Sequence, residues 1–135
     1  MTDRFTYDVA VRWSDMDRFG HVNNARFLTL YEEARVAMFF LGARAHGLTS
    51  FEEGIVIARH EVDYLRPVDY GHPVRIEMWI SELRAGRFTV SYELYDEDAL
   101  AGRAKSVCVP YNLTQARPRR LSEAERDFLK PYVEA

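Results

Sequence analysis

The chain predicts an α+β fold in which an antiparallel sheet wraps around one long helix. Three features carry that expectation. Residues 5–13 alternate apolar and polar side chains, residues 24–41 switch to a helical period, and four strand-like runs follow with no second long helix between them. The helical segment is also apolar around more of its circumference than a helix with one wet face should be, so it needs a cover. Strands are the only long elements left to supply one.

The elements follow in order. Phe5, Tyr7, Val9, Val11 and Trp13 alternate with Thr6, Asp8, Ala10 and Arg12, the period of a half-buried first strand. From Asn24 onward, Phe27, Leu30, Tyr31, Ala34, Ala37, Met38 and Leu41 recur at three- and four-residue steps, predicting a helix of about four to five turns. Asn23 or Asn24 is a good N-cap, and Gly42 is placed to end the helix. Leu28, Phe39 and Phe40 fall off the main stripe and give the helix its wide apolar surface. Strands are expected over residues 55–66, 74–83, 87–95 and 100–113, separated by the turn-rich "PVDYGHP", "RAG" and "DEDA". Phe88, Val90, Tyr92 and Leu94 face inward on the third of these, and the four are read as an antiparallel meander. Ser122 and Glu125 form a capping box for a short helix running to about residue 132.

Composition narrows the function. The 135 residues, 47% hydrophobic, predict a single domain over residues 1–135 with enough apolar material for a core. A formal net charge of -3 removes the strongest reason to expect nucleic-acid binding. No apolar run approaches the roughly 20 residues needed to cross a bilayer, no signal-peptide pattern opens the chain, and the lone Cys108 cannot form an intrachain disulfide. A soluble protein of the reducing cytoplasm, without membrane or nucleic-acid partners, is expected.

The stretch "WSDMDRFGHVNNARF" breaks the strand pattern with two aspartates, a glycine and a histidine, and sets two asparagines at the helix start. Taken alone, an aspartate between a strand and a helix is a turn or capping residue. The longer stretch "VRWSDMDRFGHVNNARFLTLYEEAR", with its D-x-D-x-x-G-H-V-N-N core, resembles the signature of hotdog-fold acyl-CoA thioesterases of the 4-hydroxybenzoyl-CoA thioesterase type. "HEVDYLRPVDYGHPVRIE" and "SVCVPYNLTQARPRR" follow in that family's order and spacing, so the resemblance covers nearly the whole chain. It implies a hotdog fold, a five-stranded antiparallel sheet wrapped around one long central helix. It also implies pairing into a homodimer or homotetramer with active sites at the interface. It assigns the second aspartate of the motif, Asp17, as the catalytic carboxylate, acting as nucleophile or as general base on water. The main-chain N–H of Asn24 becomes the donor to the thioester oxygen, because a helix N-terminus carries unpaired, partly positive N–H groups. Gly20, His21, Val22 and Asn23 would shape the substrate's approach. Asp15 is left as a side chain that bonds the loop backbone. Phe27, Leu28 and Tyr31 are placed either to line the acyl pocket or to fill the core.

Competing chemistries fit less well. Hotdog hydratases and dehydratases use an Asp/His pair with four residues between, whereas three separate Asp17 from His21, which makes His21 an orienting or packing residue. A non-catalytic acyl-CoA or acyl-carrier binding module would keep the pocket without needing Asp17. There is no G-x-S-x-G elbow, no P-loop and no G-x-G-x-x-G. His46, His60 and His72 are scattered, so no metal is expected, and no cofactor beyond the coenzyme A of the substrate itself. Cys108 reads as a buried structural thiol. Arg59, Arg66, Arg84, Arg87, Arg103 and Lys105 mostly suit the wet face of a sheet. The "ARPRR" run, Arg117, Arg119 and Arg120, is the candidate contact for the coenzyme A phosphates.

Overall fold

The computed structural model describes residues 2–135. Its strands are β1 (Phe5–Val9), β2 (Ile55–Tyr64), β3 (Val74–Leu83), β4 (Phe88–Asp96), β5 (Ala99–Asn112) and the two-residue β6 (Arg117–Pro118). The long helix α1 (Asn24–Val36) continues without a break through a π-helical segment, Ala37–Gly42, into a last α-turn, Ala43–Ala45. A short helix over Glu123–Leu129 carries the expected capping box, with Glu125 N–H donating to Ser122 Oγ and Ser122 N–H to Glu125 Oε1.

All strand pairs are antiparallel, in the order β1-β3-β4-β5-β2, with β6 added to the end of β5. Val74, Ile76, Met78 and Ile80 on β3 and Phe88, Val90, Tyr92 and Leu94 on β4 form the concave face, all buried. Against it lie Phe27, Leu30, Tyr31, Ala34, Met38 and Phe39 of the helix. Tyr31 meets Tyr92 at 4.8 Å between ring centroids, and Phe39 meets Phe88 at 5.5 Å. This is the hotdog arrangement.

Three expectations need correction. The four later strands do not run as one meander: β3, β4 and β5 do, but β2 crosses over to pair with β5, Tyr64 opposite Gly102 and Ile55 opposite Pro110. Alternation tells which way side chains face and says nothing about which strand lies alongside.

Gly42 does not end the helix. It sits inside at φ −64°, and the chain turns out of the helix at Gly47, φ +76°, whose N–H reaches Arg44 O (2.9 Å) while Leu48 N–H reaches Ala43 O (3.0 Å). The π-helical segment that carries the helix past Gly42 also widens the turn and rotates the following residues. Leu41, read as part of the buried stripe, is therefore 57% exposed, and Phe39 and Ala43 point inward instead.

The first strand stops at Val9 rather than Trp13. Arg12 N–H donates to Asp15 Oδ2 (2.9 Å) and Asp15 N–H to Arg12 O (2.9 Å), winding Trp13–Asp15 into a 3₁₀ turn that leaves the Trp13 side chain 78% exposed.

Tyr31 is 1% exposed, and its hydroxyl has no hydrogen-bond partner among the described residues. The oxygen sits over Gly102, only 2.7 Å from where a Cβ there would stand. A buried hydroxyl without a partner destabilises the fold, so Tyr31→Phe should stabilise the protein by about 1 kcal/mol, read as a raised melting temperature. A lowered one would mean that the hydroxyl has a partner in solution.

Candidate active site

The motif loop is built around Asp15. Its side chain is fully buried and accepts from the backbone N–H of Arg12 and from the Arg12 guanidinium (Nη2 to Oδ1, 3.2 Å), with Arg26 Nε at 4.0 Å. Asn23 N–H returns to Asp15 O at 2.8 Å, tying the helix start to the strand end. Desolvation pushes the Asp15 carboxyl up, but the hydrogen bonds from Arg12 and the charges of Arg12 and Arg26 outweigh it and hold the group below its ordinary value. A depressed folded-state pKa contributes stability above the unfolded carboxylate value, and that contribution disappears as pH falls through the folded one. Asp15→Ala should therefore lower the melting temperature at neutral pH, because the turn loses the carboxylate that accepts from the Arg12 N–H and guanidinium. The gap to wild type should close on acidification. A gap that persists unchanged in acid would show that charge is not what Asp15 contributes.

Asp17 stands two residues on, at the base of a small hairpin. Its N–H donates to His21 O (2.7 Å), and its Oδ1 accepts from the N–H of Phe19 (2.8 Å) and of His21 (3.1 Å). Among the described residues no group donates to Oδ2. The carboxylate is thus held by one oxygen and free at the other. Gly20 takes φ +81°, a left-handed turn that brings the chain back, and a Cβ there would meet no atom, so the requirement is conformational. Val22 N–H to Val68 O (2.9 Å) and a bridge between His21 and Asp69 fasten the hairpin to the segment after β2. The His21 ring points along that bridge, Nε2 lying 3.8 Å from Asp69 Oδ1.

At the helix start, Asn23 is the N-cap. Its Oδ1 accepts from Ala25 N–H (2.9 Å) and its carbonyl from Arg26 N–H (2.8 Å). The N–H of Asn24 has no acceptor among the described residues, and its side chain is exposed. One free N–H therefore remains at the positive end of the helix.

Asp17, His21, Val22, Asn24 and Phe27 line a single open cleft of about 350 Å³. Its far wall comes from the end of β2 and the turn beyond it: Tyr64, Leu65, Arg66 and Pro67. Tyr64 Oη donates to Asn24 O (2.9 Å), and its ring meets Phe27 edge-on at 5.0 Å. The motif carries no sign of this wall. "DYLRP" lies about forty residues away in sequence, and only the crossover of β2 to the β5 edge brings it to the helix start.

Other candidate residues lie elsewhere. Tyr31 is in the core beneath the cleft and Leu28 is on the helix's outer side. Arg117 is on β6 at the opposite end of β2, nine strand residues or about 30 Å from Tyr64. Arg119 is committed within the fold. Its guanidinium grips Glu125 with two bonds of 2.8 and 2.9 Å and donates to Ser50 O at 3.1 Å. Arg120 is exposed beside it. The basic run and the cleft are therefore not brought together in this chain. No group of three or more His, Cys, Asp or Glu side chains is arranged to hold a metal among the described residues. Among the same residues, no helix is long and apolar enough to cross a membrane.

A curled antiparallel sheet around one long helix, with an open cleft at that helix's N-terminus, is the arrangement of a class of proteins, the hotdog-fold thioester hydrolases. Residues 11–130 match the thioesterase-like superfamily, and the chain belongs to it. Among its relatives is a 1,4-dihydroxy-2-naphthoyl-CoA hydrolase of Synechococcus elongatus, 28% identical over 131 residues, covering 93% of this chain and 95% of the relative. Among solved structures, a predicted thioesterase from Bacillus stearothermophilus superposes with a TM-score of 0.86 at 27% identity, covering 98% of both chains. A thioesterase from Thermus thermophilus, solved with coenzyme A and zinc, gives a TM-score of 0.78 at 34% identity, covering 93% of this chain and 91% of that one.

Proposed function

We propose that the protein hydrolyses an acyl-CoA thioester to the free carboxylic acid and coenzyme A, with Asp17 as the reacting carboxylate. The observation that carries this reading is the half-engaged Asp17 side chain, one oxygen pinned by two N–H groups and the other unbonded, in the same cleft as the free Asn24 N–H. A nucleophile or base needs a lone pair that nothing else occupies, and an oxyanion needs a donor that nothing else uses.

Two routes meet this requirement. Oδ2 attacks the thioester carbon, the carbonyl oxygen takes up negative charge against the Asn24 N–H, and the coenzyme A thiolate leaves; water then cleaves the resulting anhydride and restores the carboxylate. Alternatively Oδ2 takes a proton from a water that attacks the same carbon, and that proton goes on to the leaving thiolate. Neither route calls on a metal or cofactor. Support for coenzyme A as the carrier comes from the coenzyme A bound in the Thermus thermophilus relative and from the acyl-CoA named for the Synechococcus elongatus one. The D-x-D-x-x-G-H-V-N-N motif supports the finer grouping with thioesterases of the 4-hydroxybenzoyl-CoA type.

Following thiol release from a panel of aromatic and aliphatic acyl-CoAs tests the reading. Release from at least one, abolished by Asp17→Asn, is expected; no release from any would sink it.

The same reading includes a homodimer. β2 is a ten-residue edge strand with one side unpaired, and such edges are normally covered. Sedimentation should give at least twice the monomer mass.

A further inference from the structure

The segment that follows β2 touches the carriers of both groups assigned to the reaction. Leu65 and Arg66 each donate a backbone N–H to Ala101 O, at 2.9 and 3.1 Å, and Ala101 is fully buried in β5, so the segment is rooted in the sheet. From that root it reaches two ways. Val68 O accepts from Val22 N–H (2.9 Å) and Asp69 bridges to His21, which holds the hairpin that carries Asp17. On the other side Tyr64 Oη donates to Asn24 O (2.9 Å), which holds the first residue of the helix. Residues 64–69 thus brace the carboxylate hairpin and the helix start from a common base.

Among the described residues, the Tyr64 bond is the one that reaches residue 24 from outside the helix. It is not needed to satisfy that carbonyl. In an α-helix the carbonyl of the first residue accepts from the N–H four residues on, and Asn24 is exposed to water besides. Nor is it needed to place the ring, which is 48% exposed and meets Phe27 edge-on at 5.0 Å. What the hydroxyl adds is position. Helix ends fray, whereas an oxyanion donor works by standing in place before the charge develops, and a misplacement of about 1 Å can cost about a hundredfold in rate.

We propose that Tyr64 is a positioning residue for thioester hydrolysis, its hydroxyl fixing residue 24 so that the Asn24 N–H stands where the oxyanion forms. The inference rests on the reading of Asp17 and Asn24 as the reacting carboxylate and its partner donor. Tyr64 itself neither binds the acyl group nor transfers a proton.

The test is a double-mutant cycle of Tyr64→Phe with Asn24→Pro, read as kcat and KM for whichever acyl-CoA is hydrolysed, beside melting curves. Tyr64→Phe keeps the ring and removes one hydrogen bond between exposed groups, so the melting temperature should stay close to that of the wild type. Its kcat should fall by about tenfold, the upper scale of one neutral hydrogen bond, with KM unchanged. In the Asn24→Pro background, where the donor is already gone, the same change should cost nothing further. A readout without substrate accompanies it: ¹⁵N relaxation should give the Asn24 amide a lower order parameter in Tyr64→Phe, while Val22 keeps its own. Unchanged kcat, a raised KM at constant kcat, an equal loss in both backgrounds, or an unchanged Asn24 order parameter would each overturn the proposal. The two readings fail differently. If Asn24→Pro alone keeps wild-type turnover, the backbone donor falls and this inference with it; if Asn24→Pro is slow and Tyr64→Phe is not, only the role of Tyr64 falls.

Discussion

Asp17→Asn should reduce acyl-CoA turnover by about a hundredfold or more while leaving the melting temperature close to that of the wild type. The hydrogen bonds make this substitution clean. An asparagine side chain keeps an Oδ1 that can accept from the N–H groups of Phe19 and His21, so the hairpin should hold its shape. What changes is the free position, where a carboxylate lone pair becomes an amide NH₂ that can neither attack a carbonyl nor take a proton from water. Binding of the substrate should survive. Steady-state kinetics beside a melting curve checks both halves, and a folded variant retaining more than about a tenth of the wild-type rate would remove Asp17 from the reaction.

At the helix start, Asn24→Pro should slow turnover by about a hundredfold, the scale of a lost oxyanion donor, whereas Asn24→Ala should change it little. Proline removes the N–H and nothing else that the fold uses. Position 24 is the first helical residue, no group among the described residues accepts from its N–H, and Asn23 before it is already at φ −60° and ψ 137°, a conformation that precedes proline without strain. Capping belongs to Asn23, so an Ala at 24 does not uncap the helix. Circular dichroism should find both variants folded. A Pro variant with wild-type turnover would exclude the backbone donor, and an Ala variant as slow as the Pro variant would move the role to the side chain.

Much of the site was legible because it is local. Asp15, Asp17, Gly20, Asn23 and Asn24 lie within ten residues, and short-range bonds decide their arrangement: an Asp15 carboxylate on the Arg12 N–H, an Asp17 carboxylate on the Phe19 and His21 N–H groups, an Asn23 cap on Ala25. Local chemistry does not tell the two aspartates apart, and only the family resemblance gives them different parts; in the fold the first closes a turn and the second keeps one oxygen unbonded among the described residues. By contrast the basic run at Arg117, Arg119 and Arg120 looked like one electrostatic feature. In the fold Arg119 is taken by Glu125 and Ser50, which no count of charges along the chain reveals.

Periodicity and turn chemistry, both local, determined the element types, the long helix with its inner stripe as far as Met38, the inward face of β4 and the capping box at Ser122. Tertiary structure alone decided that β2 crosses to the β5 edge, and with it that Tyr64, Leu65, Arg66 and Pro67 form the wall opposite Asp17. It also decided which residues of the helix are buried beyond Ala37, because a π-helical segment rotates the apolar stripe away from Leu41 and toward Phe39 and Ala43. A strand's pattern records which of its faces is dry and carries no information on its neighbour. A helix's pattern predicts its buried face only while the turn keeps its ordinary width.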